Sequence, residues 1–411
     1  MRRTCVFLAA LACAALAGAA EASVLAAFTV LGPEGTVARA VVEGERCPAL
    51  AVDGAGVTMS VRAPADERFP LVCEAVLPTG AATATLDGAA LPLPHAEVKR
   101  IAIFGDSGCR VDAPAHEYQA CNDPAAWPFL RTSAAAAALM PDLVIHVGDY
   151  LYRESPCPAL QPGCRGSPSG DDWAAWQADF FAPAATLLKA APWVMVRGNH
   201  ENCSRSGAGF FRLLDPRPLP ASCPFISPVY RVAVGGLTFY VLDSGEAGDV
   251  TAPPQLVDTY RQNLAAIDGP AWLLTHRPVW AVARFVKGPG LSVLLNFNAT
   301  LSAAMGDKPP AAIALVVSGH IHLFEALSFA DHRAPQLVLG TAGSSLSDDI
   351  GEDLAGHGIA GTAIAYGRTT HEFGVTTMER AGDGWAATLR DEAGAPRFTC
   401  TIVGSAVRCE P

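Results

Sequence analysis

Charge is what this chain has little of. Only 17% of its 411 residues are Asp, Glu, Lys or Arg, and the acidic ones prevail, giving a formal net charge of -11. Such a chain repels polyanions, so a nucleic acid polymer gripped by its backbone is not an expected partner. A small phosphate ester stays eligible wherever bound metal ions reverse the local field. Beyond the N-terminus no apolar run is long enough to make a transmembrane helix, so stable membrane insertion is not expected. No C-x-x-C pair occurs, which weakens a structural zinc reading. No internal repeat of solenoid length is present, and nothing in the chain specifies an oligomeric state.

What is present is apolar mass: 50% of the residues are hydrophobic, enough for one large domain and a small one. Residues 1–22 read as a signal peptide, with Arg2 and Arg3 ahead of an apolar run over residues 5–17. Small-residue cleavage sites follow at Ala17-Gly18-Ala19 and Ala20-Glu21-Ala22, and cleavage is expected after Ala22. Cys13, after Leu11 and Ala12, keeps a lipoprotein signal as the alternative. Two of the 12 cysteines lie in this leader. The other ten fall into neighbouring pairs: Cys47 and Cys73, Cys109 and Cys121, Cys157 and Cys164, Cys203 and Cys223, Cys400 and Cys409. Five sequential disulfides in an oxidising compartment, secreted or periplasmic, are the expectation.

Residues 23–95 alternate short apolar runs with Gly, Pro and Asp turns, and strands are expected at 28–31, 38–42, 57–61 and 71–77. This segment reads as a small β-sandwich domain, ended by the stiff linker Leu91-Pro92-Leu93-Pro94. From residue 96 to 411 the pattern changes. Runs apolar on both faces recur at 100–104, 143–147, 193–196, 237–242, 271–274, 313–317 and 337–339, as expected of strands buried between layers. Helices are expected at 132–140 and 172–190, closing strands after residue 362, and an inserted loop over 156–172. The fold class is therefore α/β, layered.

Most of these runs stop at a polar cluster. The first ends in Gly105-Asp106-Ser107-Gly108, the second in Gly148-Asp149-Tyr150-Leu151-Tyr152, the third in Gly198-Asn199-His200-Glu201. The fifth ends in Thr275-His276-Arg277-Pro278 and the sixth in Gly319-His320-Ile321-His322. Ligands of open α/β sheets gather at the carboxyl ends of strands, so the five clusters should converge on one sheet edge. Two Asp, an Asn, three or four His and a Tyr are too many donors for one tetrahedral ion. They suit two ions sharing a carboxylate, and the absence of a thiolate argues against a zinc cluster.

The series GDSG, GDYLY, GNHE, TH, GHIH resembles the calcineurin-like metallophosphoesterases, and within them the purple acid phosphatases, over residues 100–345 in preserved order. The Tyr three residues after the second Asp, Tyr152, marks the purple branch. The resemblance implies a four-layer α/β/β/α sandwich preceded by a small β-domain. It implies that Asp106, Tyr152 and His322 hold one metal, Fe(III), that Asn199, His276 and His320 hold another, Fe(II), Zn(II) or Mn(II), and that Asp149 bridges them. A phenolate suits a trivalent ion, neutral imidazoles and an amide a divalent one. The implied reaction is hydrolysis of phosphate monoesters, water activated by the metal pair attacking phosphorus; the rival is a phosphodiesterase or nucleotidase with the same cage.

Three side chains keep two readings each. His200 is catalytic, contacting phosphate or protonating the leaving oxygen, or it is a packed loop residue. Arg277 contacts phosphate through its planar fork or is a solvated charge. Tyr152 has Tyr150 as its rival for the metal. Asn199 is expected to touch substrate as well as metal. His146 reads as core, Asp243 as a turn or supporting residue, and Gly340-Thr341-Ala342-Gly343 as either a substrate-facing loop or a tight turn. Glu325 gets no role from its position.

Overall fold

The computed structural model describes residues 23–286, 292–306, 310–351 and 353–410. The signal peptide expected at 1–22, with Cys5 and Cys13, lies outside them. Two sheets form the body, one of eleven strands and one of eight. In the first, Arg100–Phe104, Leu143–His146 and Trp193–Met195 run parallel side by side. In the second, Leu237–Leu242, Ala271–Thr275, Ile313–Ser318 and Gln336–Leu339 do the same.

The alternation of side chains along these strands sets the layers. Ile101, Ile103, Leu143, Ile145 and Val194 face Val241, Trp272, Leu274, Val317 and Leu339 across a shared interior. The intervening residues point outward. Ala102, Phe104, Val144 and Trp193 pack with Phe129, Ala136 and Phe210 of the helices Phe129–Ala138 and Gly207–Leu213. Tyr240, Leu242, Leu273 and Val316 pack with Tyr260, Leu264 and Leu301 of the helices Pro254–Ala265 and Ala299–Met305. Strands covered on both faces are apolar over most of their length, which is why these runs do not alternate with polar residues. Each such Val, Leu or Ile contributes about 1.5–3 kcal/mol by leaving water. The result is the α/β/β/α sandwich.

Residues 23–95 make two β-layers with a core of their own, Ala38, Ala40, Val42, Leu50, Leu71 and Leu86. The larger layer is continuous with the main sheet, because Ser23–Gly32 pairs in parallel with Trp193–Met195 at Val30 and Trp193. The strand expected at 57–61 is two strands on different layers. Ala55–Val57 pairs with Leu50–Val52, and Ser60–Ala63 with Leu71–Val76. The linker packs too: Leu91 is buried, and the Thr29 hydroxyl donates to the Pro92 carbonyl at 2.6 Å.

The helix expected over 172–190 is broken. Asp172 caps the turn Trp173–Trp176, accepting from the Ala175 N–H at 2.9 Å. A wide π-turn, Gln177–Phe181, follows, and Pro183 cannot supply the N–H that a continuing helix needs. The short helix Ala185–Leu188 comes after it. Five disulfides join the five neighbouring cysteine pairs. No helix among the described residues is long and apolar enough to cross a membrane.

Candidate metal centre

The five polar clusters meet where the carboxyl ends of both sheets come together. The chain turns sharply to get there. Asp106, Asp149 and His320 have left-handed backbones, with φ of 57°, 60° and 72°. Non-glycine residues hold that conformation only where the surroundings impose it. Here each follows a glycine at a strand end. At Gly198 a Cβ would fall against the Asp149 carboxylate, and at Gly319 against that of Asp106. Only glycine lets these strands bring their backbone so close to the carboxylates.

The donors form two groups around Asp149. In one, the Tyr152 hydroxyl lies 2.9 Å from Asp106 Oδ1, 2.8 Å from Asp149 Oδ2 and 2.8 Å from His322 Nε2. In the other, His276 Nε2 lies 3.1 Å from Asp149 Oδ2 and 3.0 Å from Asn199 Oδ1. Asp149, His276 and His320 each bring a ligand atom within 4.8 Å of the others. All seven side chains named from the sequence are thus brought together. Tyr150 is not: its ring stacks on His146 at 3.9 Å and its hydroxyl donates to the His146 carbonyl.

These residues fit a pair of cations. His276 donates through Nδ1 to the Val147 carbonyl at 2.8 Å, and His322 through Nδ1 to the Ser345 carbonyl at 2.6 Å. Each imidazole therefore keeps a lone pair on Nε2, aimed at the carboxylates. His320 is used the other way round. Its Nε2 faces Asp249 Oδ2 at 3.0 Å and the Arg277 guanidinium at 2.9 Å, so Nδ1 is the nitrogen left to serve a metal. Charge points to the same conclusion. Burial works against a proton on His276, yet Asp149 and Asp106 lift its pKa to about 9. The cluster draws positive charge into itself, as a cation site must. For Tyr152, burial and then Asp106 and Asp149 push the phenol well above its usual range. A phenolate there requires a cation beside it.

Behind the donors stand residues that the motifs did not single out for a role. Glu201 is fully buried and spans the second and third clusters. Its Oε1 accepts from the N–H groups of Tyr150 and Leu151, its Oε2 from those of Asp149 and Gly198, at 2.8–3.2 Å. Asp179, on the π-turn, accepts from the N–H of Cys109 at 3.1 Å and of Tyr152 at 2.8 Å, and pairs with Arg153 at 2.5 Å. It ties the first cluster to the second. Asp243 accepts from Arg197 at 2.9 Å beneath the third, so it is a supporting residue.

His200 and Arg277 have definite partners. The His200 N–H donates to Asp149 Oδ1 at 2.8 Å, and its ring lies 3.9 Å from that of Tyr152, centre to centre. Its Nδ1 meets Glu154 at 2.7 Å, and Glu154 pairs with Arg205 at 2.6 Å. Burial pushes the Glu154 carboxyl up, but His200 and Arg205 hold it below its usual range. Arg277 pairs with Asp249, so its fork is already engaged by a carboxylate. Asp249 itself is held below the usual range by His320 and Arg277, against the effect of burial. A lone acid such as Glu154 or Asp249 has no local signature, and only proximity reveals its role.

His146 is buried. Its Nδ1 accepts from the Gly148 N–H at 3.1 Å, so Nε2 carries the proton toward the Ser107 hydroxyl at 2.9 Å. Burial lowers its pKa to about 3, and it is a neutral core residue. The loop 340–343 packs beneath Asp106 rather than at the opening. A Cβ at Gly340 would lie 2.8 Å from Asp106 Oδ2, and the Gly343 carbonyl accepts from Gln119 at 2.8 Å.

A cleft of about 680 Å³ opens beside the centre, its lining including His320, His322 and Asp249.

Comparison with known proteins follows the same outline. The chain is similar to a purple acid phosphatase, PPD1, from seeds of yellow lupin (Lupinus luteus). The TM-score is 0.58 with 16% identity, covering 92% of this chain and 74% of that one. It is similar also to PhoD, with a TM-score of 0.55 and 13% identity over 94% of this chain and 92% of that one. Likeness at such identity shows a shared fold. No curated protein matches significantly by sequence. The profile of the calcineurin-like phosphoesterases matches residues 99–324, more than half of the chain and the whole span of the five clusters. With that match and a donor set fit for two cations, the chain belongs to the calcineurin-like phosphoesterases, metal-dependent hydrolases of phosphate esters.

Proposed function

We propose that this enzyme is an exported acid phosphatase of the purple type, hydrolysing phosphate monoesters. One observation carries the reading: the Tyr152 hydroxyl within 2.9 Å of Asp106, Asp149 and His322. A phenol between two carboxylates and an imidazole is a donor set for a strongly charged cation, and Fe(III) is the ion it suits. In this reading Asp106, Tyr152 and His322 hold that ion. Asn199, His276 and His320 hold a divalent one, Fe(II), Zn(II) or Mn(II), and Asp149 serves both. Residues 96–411 are the catalytic domain and residues 23–95 an accessory layer. The five disulfides support export to a secreted or periplasmic location.

When bound, a metal pair polarises the ester's oxygens and activates the attacking water. The rest falls to the chain. Glu154 fixes the ring of His200 through Nδ1, which leaves Nε2 for the substrate side. His200 contacts phosphate there and delivers a proton to the departing alkoxide. Asn199 orients the ester beside it. Arg277, bound by Asp249, steadies His320 from behind.

A phosphodiesterase or nucleotidase is the second reading. The cleft favours it in one respect, since about 680 Å³ exceeds what a bare phosphate needs. Turnover of p-nitrophenyl phosphate against its bis-ester separates the two. Metal analysis with a visible spectrum tests the iron. A tyrosinate-to-Fe(III) band should be present, vanish in Tyr152→Phe and persist in Tyr150→Phe. A colourless enzyme holding only zinc or manganese would remove it from the purple branch.

A further inference from the structure

We propose that Arg110 is the protein's own cation for the substrate phosphate, and that it biases the enzyme toward doubly charged monoesters over singly charged diesters. The inference rests on the phosphatase reading above and names the side chain that sets its substrate class.

Arg110 lines the same cleft as His320 and His322. Its guanidinium lies 5.6 Å from the centre of the Tyr152 ring, on whose hydroxyl the first donor group converges. The arm that carries it is stiff. Cys109 is bonded to Cys121, and Val111 and Asp112 pair with Tyr118 and Glu117 as a short hairpin. The Arg110 N–H donates to the Gln119 side chain at 2.9 Å, and Gln119 returns its N–H to the Arg110 carbonyl at 2.8 Å. A guanidinium on so fixed a base loses little freedom on meeting a ligand.

Two other arginines near the centre pair with carboxylates less exposed than Glu117, and a third with backbone. Arg277 is held by Asp249, and Arg205 by Glu154. Arg284, also on the cleft, donates to the Asp349 carbonyl at 2.7 Å. Arg110, itself 21% exposed, instead pairs with Glu117, whose side chain is 52% exposed. A carboxylate that reaches solvent in this way is readily exchanged for another anion. Glu117 can return to water as a phosphate oxygen takes its place on the planar fork. A dianionic monoester gains from this charge about twice what a monoanionic diester does, since Coulomb energy scales with the charge.

The test uses the full, metal-loaded enzyme. Binding of inorganic phosphate is measured by calorimetry in wild type, Arg110→Gln, Arg110→Lys and Glu117→Gln. Arg110→Gln should weaken phosphate roughly tenfold or more, with Arg110→Lys intermediate. Glu117→Gln should tighten it, because the competing carboxylate is gone. In turnover, Arg110→Gln should raise KM for p-nitrophenyl phosphate while bis-(p-nitrophenyl) phosphate changes by less than about threefold. Unchanged phosphate affinity in Arg110→Gln, or equal losses on both esters, overturns the proposal. Should Arg110→Gln fail to fold, unchanged affinity in Glu117→Gln overturns it equally. A wild type that cleaves only the diester would sink the monoesterase reading, and calorimetry would still decide the part played by Arg110.

Discussion

Glu325 shows what a single buried acid does to this protein. It is fully buried, and its carboxyl accepts from the Val282 N–H, at 3.2 Å to one oxygen and 3.4 Å to the other. Burial raises its pKa well above the usual carboxyl range, with that bond opposing only in part. The folded state thus keeps a proton that the unfolded chain gives up near its ordinary value, about 4.3. Stability from the group is complete below that pH and is lost as pH rises toward the folded value, by up to about 1.4 kcal/mol per unit. Glu325→Gln keeps an acceptor for Val282 and cannot ionise. Its unfolding free energy should overtake that of wild type between pH 5 and pH 8. Parallel curves for the two proteins across that range would show that Glu325 is not protonated in the fold.

The same scale explains what could be read from the sequence. Asp106, Asp149, Asn199, His276, His320 and His322 announce themselves because each ends an apolar run, and a glycine stands just before four of the five clusters. Tyr152 needed the likeness to a family to be chosen over Tyr150, and the packing of Tyr150 on His146 supplies the physical reason. Glu154, Asp179 and Asp249 gave no signal. Each acts across a gap in sequence, on a partner that only the fold brings near. Arg277 kept two readings for the same reason, since its partner Asp249 lies 28 residues before it.

At the scale of elements, the loops that carry donors are held by covalent bonds as well as by strands. Cys109–Cys121 follows the first cluster, Cys157–Cys164 the second, and Cys203–Cys223 the third. Cys109, Cys121 and Cys164 share one small buried core with Val111. The pairing could be guessed from spacing, but its service to the centre could not. Replacing Cys109 and Cys121 together by Ala removes a link across 12 residues. The loss should be about 3 kcal/mol in denaturant unfolding, with weaker metal retention on dialysis. Full retention of both would mean that the strands alone hold the loop. The broken helix over 172–190 belongs here too. Its length and composition read as one helix, and the π-turn within it is what lets Asp179 reach two clusters.

At the scale of the whole molecule, the N-terminal layer is riveted to the catalytic layers by two buried guanidiniums. Arg39 donates to the carbonyls of Leu213 at 3.1 Å and Asp215 at 2.8 Å, and pairs with Glu74 at 2.6 Å. Arg62 donates to the carbonyls of Phe211, Arg212 and Arg217 at 2.6–3.0 Å. Together they satisfy the open end of the helix Gly207–Leu213, where carbonyls lack partners. Arg39→Met leaves two carbonyls short of a donor, while Glu74 keeps Arg62 at 2.8 Å. It should cost about 2–4 kcal/mol in urea unfolding. A loss below about 1 kcal/mol would mean that the layers adhere through apolar contact alone. The sequence marked this segment as separate because its strands are short and rich in turns. It could not show that Val30 would lie beside Trp193.

The main sheet has one more property with a consequence for how the enzyme comes into being. The strand leading to Asp106 lies between Leu143–His146 and Val375–Ala381, with Thr376 opposite Ile103. An early strand therefore waits for one of the last to be synthesised. A nascent chain emerging from the ribosome has an unclosed edge through most of its manufacture.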